Sequence, residues 1–85
     1  MVMDMVFLVE KWEDIEDCLR FARYILYTVR DIGNGLVEVR VKSGRLGYVG
    51  IFGKGDKKLK EILTKLESYG AIRVTKTVPD ELFLS

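Results

Sequence analysis

The 85-residue sequence contains no histidine and no glutamine, and it has single copies of cysteine (Cys18), asparagine (Asn34), proline (Pro79) and tryptophan (Trp12). Each gap closes off some chemistry. Without histidine, the commonest general base and the commonest metal ligand are missing. One cysteine can build neither a disulfide framework nor a cysteine-based metal cluster. No apolar run approaches the roughly 20 residues that a membrane-spanning helix needs. Residues 1–10 lack a basic leading region and meet Asp4 early, so they do not read as a secretory signal. The expectation is one small cytoplasmic domain, not an enzyme, with no cofactor and no metal. Scarce Gln, Asn and Cys beside abundant Lys, Arg and Glu is also the bias of heat-adapted proteins.

The remaining residues are patterned. Met5 to Val9 is a short apolar run that suits a central strand. Residues 13–32 predict a helix. Ile15, Cys18, Leu19, Ala22, Ile25, Leu26 and Val29 recur every three or four positions and form one apolar stripe. Glu13, Asp14, Glu16 and Asp17 crowd its start, and Arg30 lies near its end; both placements suit the macrodipole. Gly33-Asn34-Gly35 then reads as a helix stop. On this stripe Cys18 is expected to be a buried, inert thiol.

Leu36 to Lys42 alternates, with Val37, Val39 and Val41 on one side and Glu38, Arg40 and Lys42 on the other, which predicts a half-buried strand. Ser43-Gly44 is the expected hairpin turn, and residues 45–52 return as the partner strand. That turn faces Tyr48 inward and leaves Arg40, Lys42, Arg45, Val49 and Ile51 on an open side. A turn one residue longer would instead expose Tyr48 and Phe52 and resemble an RNA-stacking sheet. Asp56 is a good N-cap for a second helix running through Tyr69, with Leu59, Ile62, Leu63, Leu66 and Tyr69 as its apolar stripe. Gly70 ends that helix, residues 71–78 predict a last strand, and residues 79–85 form a tail.

The predicted order is strand, helix, strand, strand, helix, strand. Over residues 5–78 it resembles the ferredoxin-like superfold, an α+β sandwich with a four-stranded antiparallel sheet and two helices on one face. Element order alone carries no function.

Charge is unevenly placed. Residues 1–35 carry four basic and seven acidic side chains, whereas residues 36–79 carry ten and four. The 40–60 segment therefore suggests contact with phosphate, RNA or DNA. The candidate residues are Arg40, Lys42, Arg45, Gly53, Lys54, Gly55, Lys57 and Lys58, with the last five at the start of the second helix, where backbone amides favour anions. A glycine turn followed by solvated lysines is the plainer alternative. A second candidate surface is the open sheet face, with Val49 and Ile51. A third is one side of the first helix, where Arg20, Arg23, Tyr24 and Tyr27 fall within about a quadrant of the wheel. The tail residues Leu82, Phe83 and Leu84 either fold onto the domain or are offered to another chain. Together these features favour a non-catalytic module that forms a homodimer or docks on another protein. Binding of nucleic acid or phosphate is the runner-up.

Overall fold

The computed structural model describes residues 7–74. In chain order the elements are β1 (Phe7–Val9), α1 (Trp12–Leu19), β2 (Leu26–Gly33), β3 (Leu36–Ser43), β4 (Leu46–Gly53), α2 (Lys57–Ser68) and β5 (Ile72–Arg73). The strands make one mixed sheet in the spatial order β1-β4-β3-β2-β5. The α+β class with two helices is as expected. The four-stranded antiparallel ferredoxin-like sheet is not: there is a fifth strand, and both outer strands pair in parallel, β1 with β4 and β5 with β2.

The extra strand comes from the residues read as the second half of a long helix. The helix stops at Leu19, and Leu26–Gly33 is β2. Tyr24 to Val29 is rich in aromatic and β-branched side chains, which lose rotamer freedom in a helix and pack well on a pleated surface. Ile25 and Tyr27 are buried and Val29 is partly buried, an alternation that the three-and-four spacing concealed. Asn34-Gly35 is not a helix stop. It is a two-residue hairpin turn with positive φ at both positions, 57° and 74°, as a type I′ turn requires.

The second hairpin slides by one residue from the expected turn. Gly44, at φ 58°, and Arg45 form it, and Ser43 pairs with Leu46. The register moves by two, so every side chain keeps its expected face. Val41 stands opposite Tyr48, Val39 opposite Gly50 and Val37 opposite Phe52. The register that exposes Tyr48 is not formed; Tyr48 is buried.

Connectivity explains why one face is covered. β1, β4, β2 and β5 all run the same way, and only β3 is reversed. The β1-α1-β2 and β4-α2-β5 crossovers both travel in the same direction across the sheet. Right-handed crossovers with a common direction put their helices on a common side. The core lies there: Trp12, Ile15 and Leu19 of α1 and Leu59, Ile62 and Leu66 of α2 meet Tyr27, Val37, Val39, Val41 and Tyr48. Trp12 stands edge-on to Tyr48, with ring centroids 5.8 Å apart. Cys18, expected in the core, is exposed, because the buried side of α1 runs through Trp12, Ile15, Glu16 and Leu19. Among the described residues no helix is long and apolar enough to cross a membrane. No three potential metal-ligating side chains converge among them either. The expected Met5–Val9 and 71–78 strands appear as Phe7–Val9 and Ile72–Arg73; Ala71 and Val74 flank the latter outside the strand, and residues 5–6 and 75–78, with the 79–85 tail, lie outside the described residues.

Candidate interaction surface

The sheet face opposite the helices is built in rows. Ile72, Leu26, Lys42, Gly47 and Leu8 share one row across all five strands. Thr28, Arg40 and Val49 make the next, and Arg30, Glu38 and Ile51 the one after. Even-numbered positions of β2 and β3 and odd-numbered positions of β4 supply these side chains, because strand side chains alternate. Arg40, Lys42, Val49 and Ile51 thus lie where the sequence placed them. Arg45 sits in the hairpin turn at the end of the face.

The rim of the face is apolar and open. Leu8, Ile51 and Ile72 are 49%, 57% and 58% exposed. Its centre is polar. Glu38 Oε1 accepts from Arg40 Nε at 2.8 Å and lies 3.3 Å from Arg30 Nη2. Isolated large apolar residues on a surface are ordinary, but several ringing one flat face with paired charges at its middle resemble the anatomy of a protein contact. Leu8 and Ile72 were not singled out from the sequence. Each lies on a short strand whose pairing partner is distant in the chain, so nothing local announces which face it occupies.

The basic start of α2 is arranged otherwise than the sequence suggested. Lys54 Nζ lies 2.8 Å from Asp31 Oδ2, and Lys58 Nζ donates to Glu13 Oε1 at 2.7 Å. The hydrogen bond from Lys58 holds the Glu13 carboxyl below its ordinary range, and Glu13 in turn raises the Lys58 ammonium. Lys54 likewise lowers Asp31. The N-cap Asp56 accepts from the Lys58 amide at 2.8 Å, so one of the amides expected to face an anion is already satisfied. Gly53 ends β4, Gly55 lies in the following turn, and Lys57 is exposed on the first turn of α2. Lysines that clash with the helix dipole are therefore balanced by carboxylates from α1 and from the β2–β3 hairpin.

The Tyr/Arg quadrant of the first helix does not form. Arg20 caps α1, Arg23 and Tyr24 lie in the connection to β2, and Tyr27 is buried in the core at 5% exposure. Ser43 Oγ donates to the Tyr24 carbonyl and anchors that connection. Phe21, beside Arg20, is its most exposed aromatic, and the sequence reading passed over it. No protein-family model matches the chain, and no curated protein or solved structure matches it.

Proposed function

We propose that the protein is a small non-catalytic interaction module that pairs with a second copy of itself through the open sheet face. The observation that carries this reading is the exposed apolar rim of Leu8, Ile51 and Ile72 around the Arg30–Glu38–Arg40 strip. A two-fold contact must be self-complementary, and a strip holding both signs can meet its own copy with carboxylate against guanidinium. Glu13, Glu16 and Asp31 each face a lysine whose hydrogen bond lowers the carboxyl below its ordinary range, so these three groups are engaged in ion pairs within the domain. Binding of nucleic acid or phosphate is less favoured, because Lys54 and Lys58 already face carboxylates.

Sedimentation equilibrium over a wide concentration range, at 50 and 500 mM salt, tests the reading on the wild type and on Ile51→Asp. Self-association of the wild type, abolished by the aspartate and little changed by salt, is the expected result. A wild type that stays monomeric at every concentration overturns it. Association that needs added RNA and weakens steeply with salt would favour the phosphate reading instead.

A further inference from the structure

The two ends of the sheet differ in charge. β1, β2, β4 and β5 all begin at one end, and α1 and α2 both finish there. Hydrogen bonds hold the segments that meet at this end together. Phe7 N–H donates to the Arg45 carbonyl at 2.6 Å, Ser43 Oγ to the Tyr24 carbonyl at 2.8 Å, and Ile72 N–H to the Ile25 carbonyl at 2.8 Å. Residues 20–25 and 42–46 there carry four basic side chains and no acidic one, whereas Glu10, Glu13, Asp14, Asp31 and Asp56 gather at the opposite end. Arg45 is otherwise engaged. The side chains of Arg20, Arg23 and Lys42 make no ion pair or hydrogen bond among the described residues, and Arg20 acts on Glu16 only by longer-range attraction.

The aromatic residues divide the same way. Among the described residues every well-exposed aromatic lies at this basic end: Phe21 at 89%, Phe7 at 57% and Tyr24 at 46%. Trp12, Tyr27 and Tyr48 are in the core, and Phe52 and Tyr69 pack against it. Alternation from Leu8 puts Phe7 on the helix side of β1, while Leu8 and Ile72 stand on the open side. Apolar surface therefore surrounds this end instead of lining one side of it.

That distribution chooses between partners. A nucleic-acid strand tracks a groove along one side of its protein and stacks bases on rings there. A lipid interface surrounds whatever enters it, receives aromatic rings at headgroup level, and attracts nearby basic groups when its lipids are anionic. We propose that this end of the domain rests on an anionic lipid surface, with Phe21 as the leading inserted ring and Arg20, Arg23 and Lys42 toward the phosphates. This contact is peripheral and spans nothing. It is independent of the self-association reading, which rests on the Arg30–Glu38–Arg40 strip and Ile51.

The test is flotation of the full-length chain at 50 mM salt with vesicles of phosphatidylcholine alone, or with roughly one lipid in three replaced by phosphatidylglycerol. At least tenfold more protein should float with the anionic vesicles. Phe21→Ala should reduce that several-fold, and Arg20→Glu/Arg23→Glu should abolish it. Lys57→Glu/Lys60→Glu makes the same change in net charge on α2 and should float nearly as the wild type does. All five side chains are exposed, so the variants should keep the wild-type circular dichroism. Flotation that ignores lipid charge, no flotation at all, an unchanged Phe21→Ala, or equal losses in the two charge-reversed pairs overturns the proposal. A chain that does not float but binds oligouridylate, and loses it in Phe21→Ala, overturns it too and assigns this end to nucleic acid.

Discussion

The Tyr69 hydroxyl donates to Glu16 Oε2 at 2.8 Å, joining the end of α2 to the buried side of α1 across 53 positions of sequence. Lys65 Nζ reaches the same oxygen at 2.9 Å and also lies 3.3 Å from Glu61. Together with Glu13–Lys58 one turn earlier on α1, these contacts fasten the two helices side by side. Burial alone would raise the Glu16 carboxyl. Hydrogen bonds from Lys65 and Tyr69 outweigh it and hold the group below the usual carboxylate range.

Acid should therefore loosen the helix pair. A carboxylate with a lowered folded pKa stabilises the fold above its unfolded value, about 4.3 for glutamate. That stabilisation is lost as pH falls through the folded pKa. Glu13, Glu16 and Asp31 all shift in this direction, so their contributions disappear in the same acid window. Glu16→Ala should cost about 1–3 kcal/mol at pH 7, because it strands the partners of a buried acceptor. Urea denaturation at pH 7 and pH 3 measures this, and the gap between variant and wild type should narrow at pH 3. A gap independent of pH would show that the Glu16 charge is not what matters.

Gly50 lies under two rings. A β-carbon there would collide with the Tyr48 hydroxyl and come within 2.6 Å of the Phe52 ring. Tyr48 is fixed by the core and Trp12, so only Phe52, which is less buried, has room to yield. Gly50→Ala should destabilise by about 1–3 kcal/mol through overpacking. A shift in the urea midpoint at constant slope is the expected observation, and an unchanged midpoint would mean that the rings move freely.

The β2–β3 turn gives a paired comparison. Gly35 sits at φ 74° with open space around it, so an added methyl meets no neighbour but must adopt a left-handed backbone. Gly35→Ala should cost about 1 kcal/mol. Gly55 has the same open space and no positive φ, so Gly55→Ala should change stability by less than about 0.5 kcal/mol. Equal effects in thermal melts would refute the conformational explanation.

Most of the framework was legible in the residues. The β3 alternation, the Asp56 cap, the α2 stripe and the Gly70 stop are all local signals, and each appears within a residue or so of its expected place. The failure lies in residues 20–33. There Ile25, Leu26 and Val29 satisfy helical spacing while Ile25, Tyr27 and Val29 also satisfy alternation. The Asn34-Gly35 turn, a strong hairpin signal, decides between them in favour of a strand. A helix over these residues would merge α1 with β2 and gather Arg20, Arg23, Tyr24 and Tyr27 on one side, a surface that does not form. The open face remained visible because Arg40, Lys42, Val49 and Ile51 depend only on β3 and β4. The ion pairs that quiet the basic segment were invisible, since Asp31–Lys54 and Glu13–Lys58 join residues distant in the chain.

The three central strands have a kinetic consequence. β2, β3 and β4 are consecutive in the chain and joined by two-residue turns, so each can zip up from its own bend with little loop-closure entropy to overcome. β1 and β5 must arrive by long-range parallel pairing after a helix has been laid down, which is intrinsically slower. The meander is thus the natural nucleus and the margins its late additions. When the molecule breathes, the outermost strands should peel away before the middle parts, baring fresh ladder edges while the centre holds.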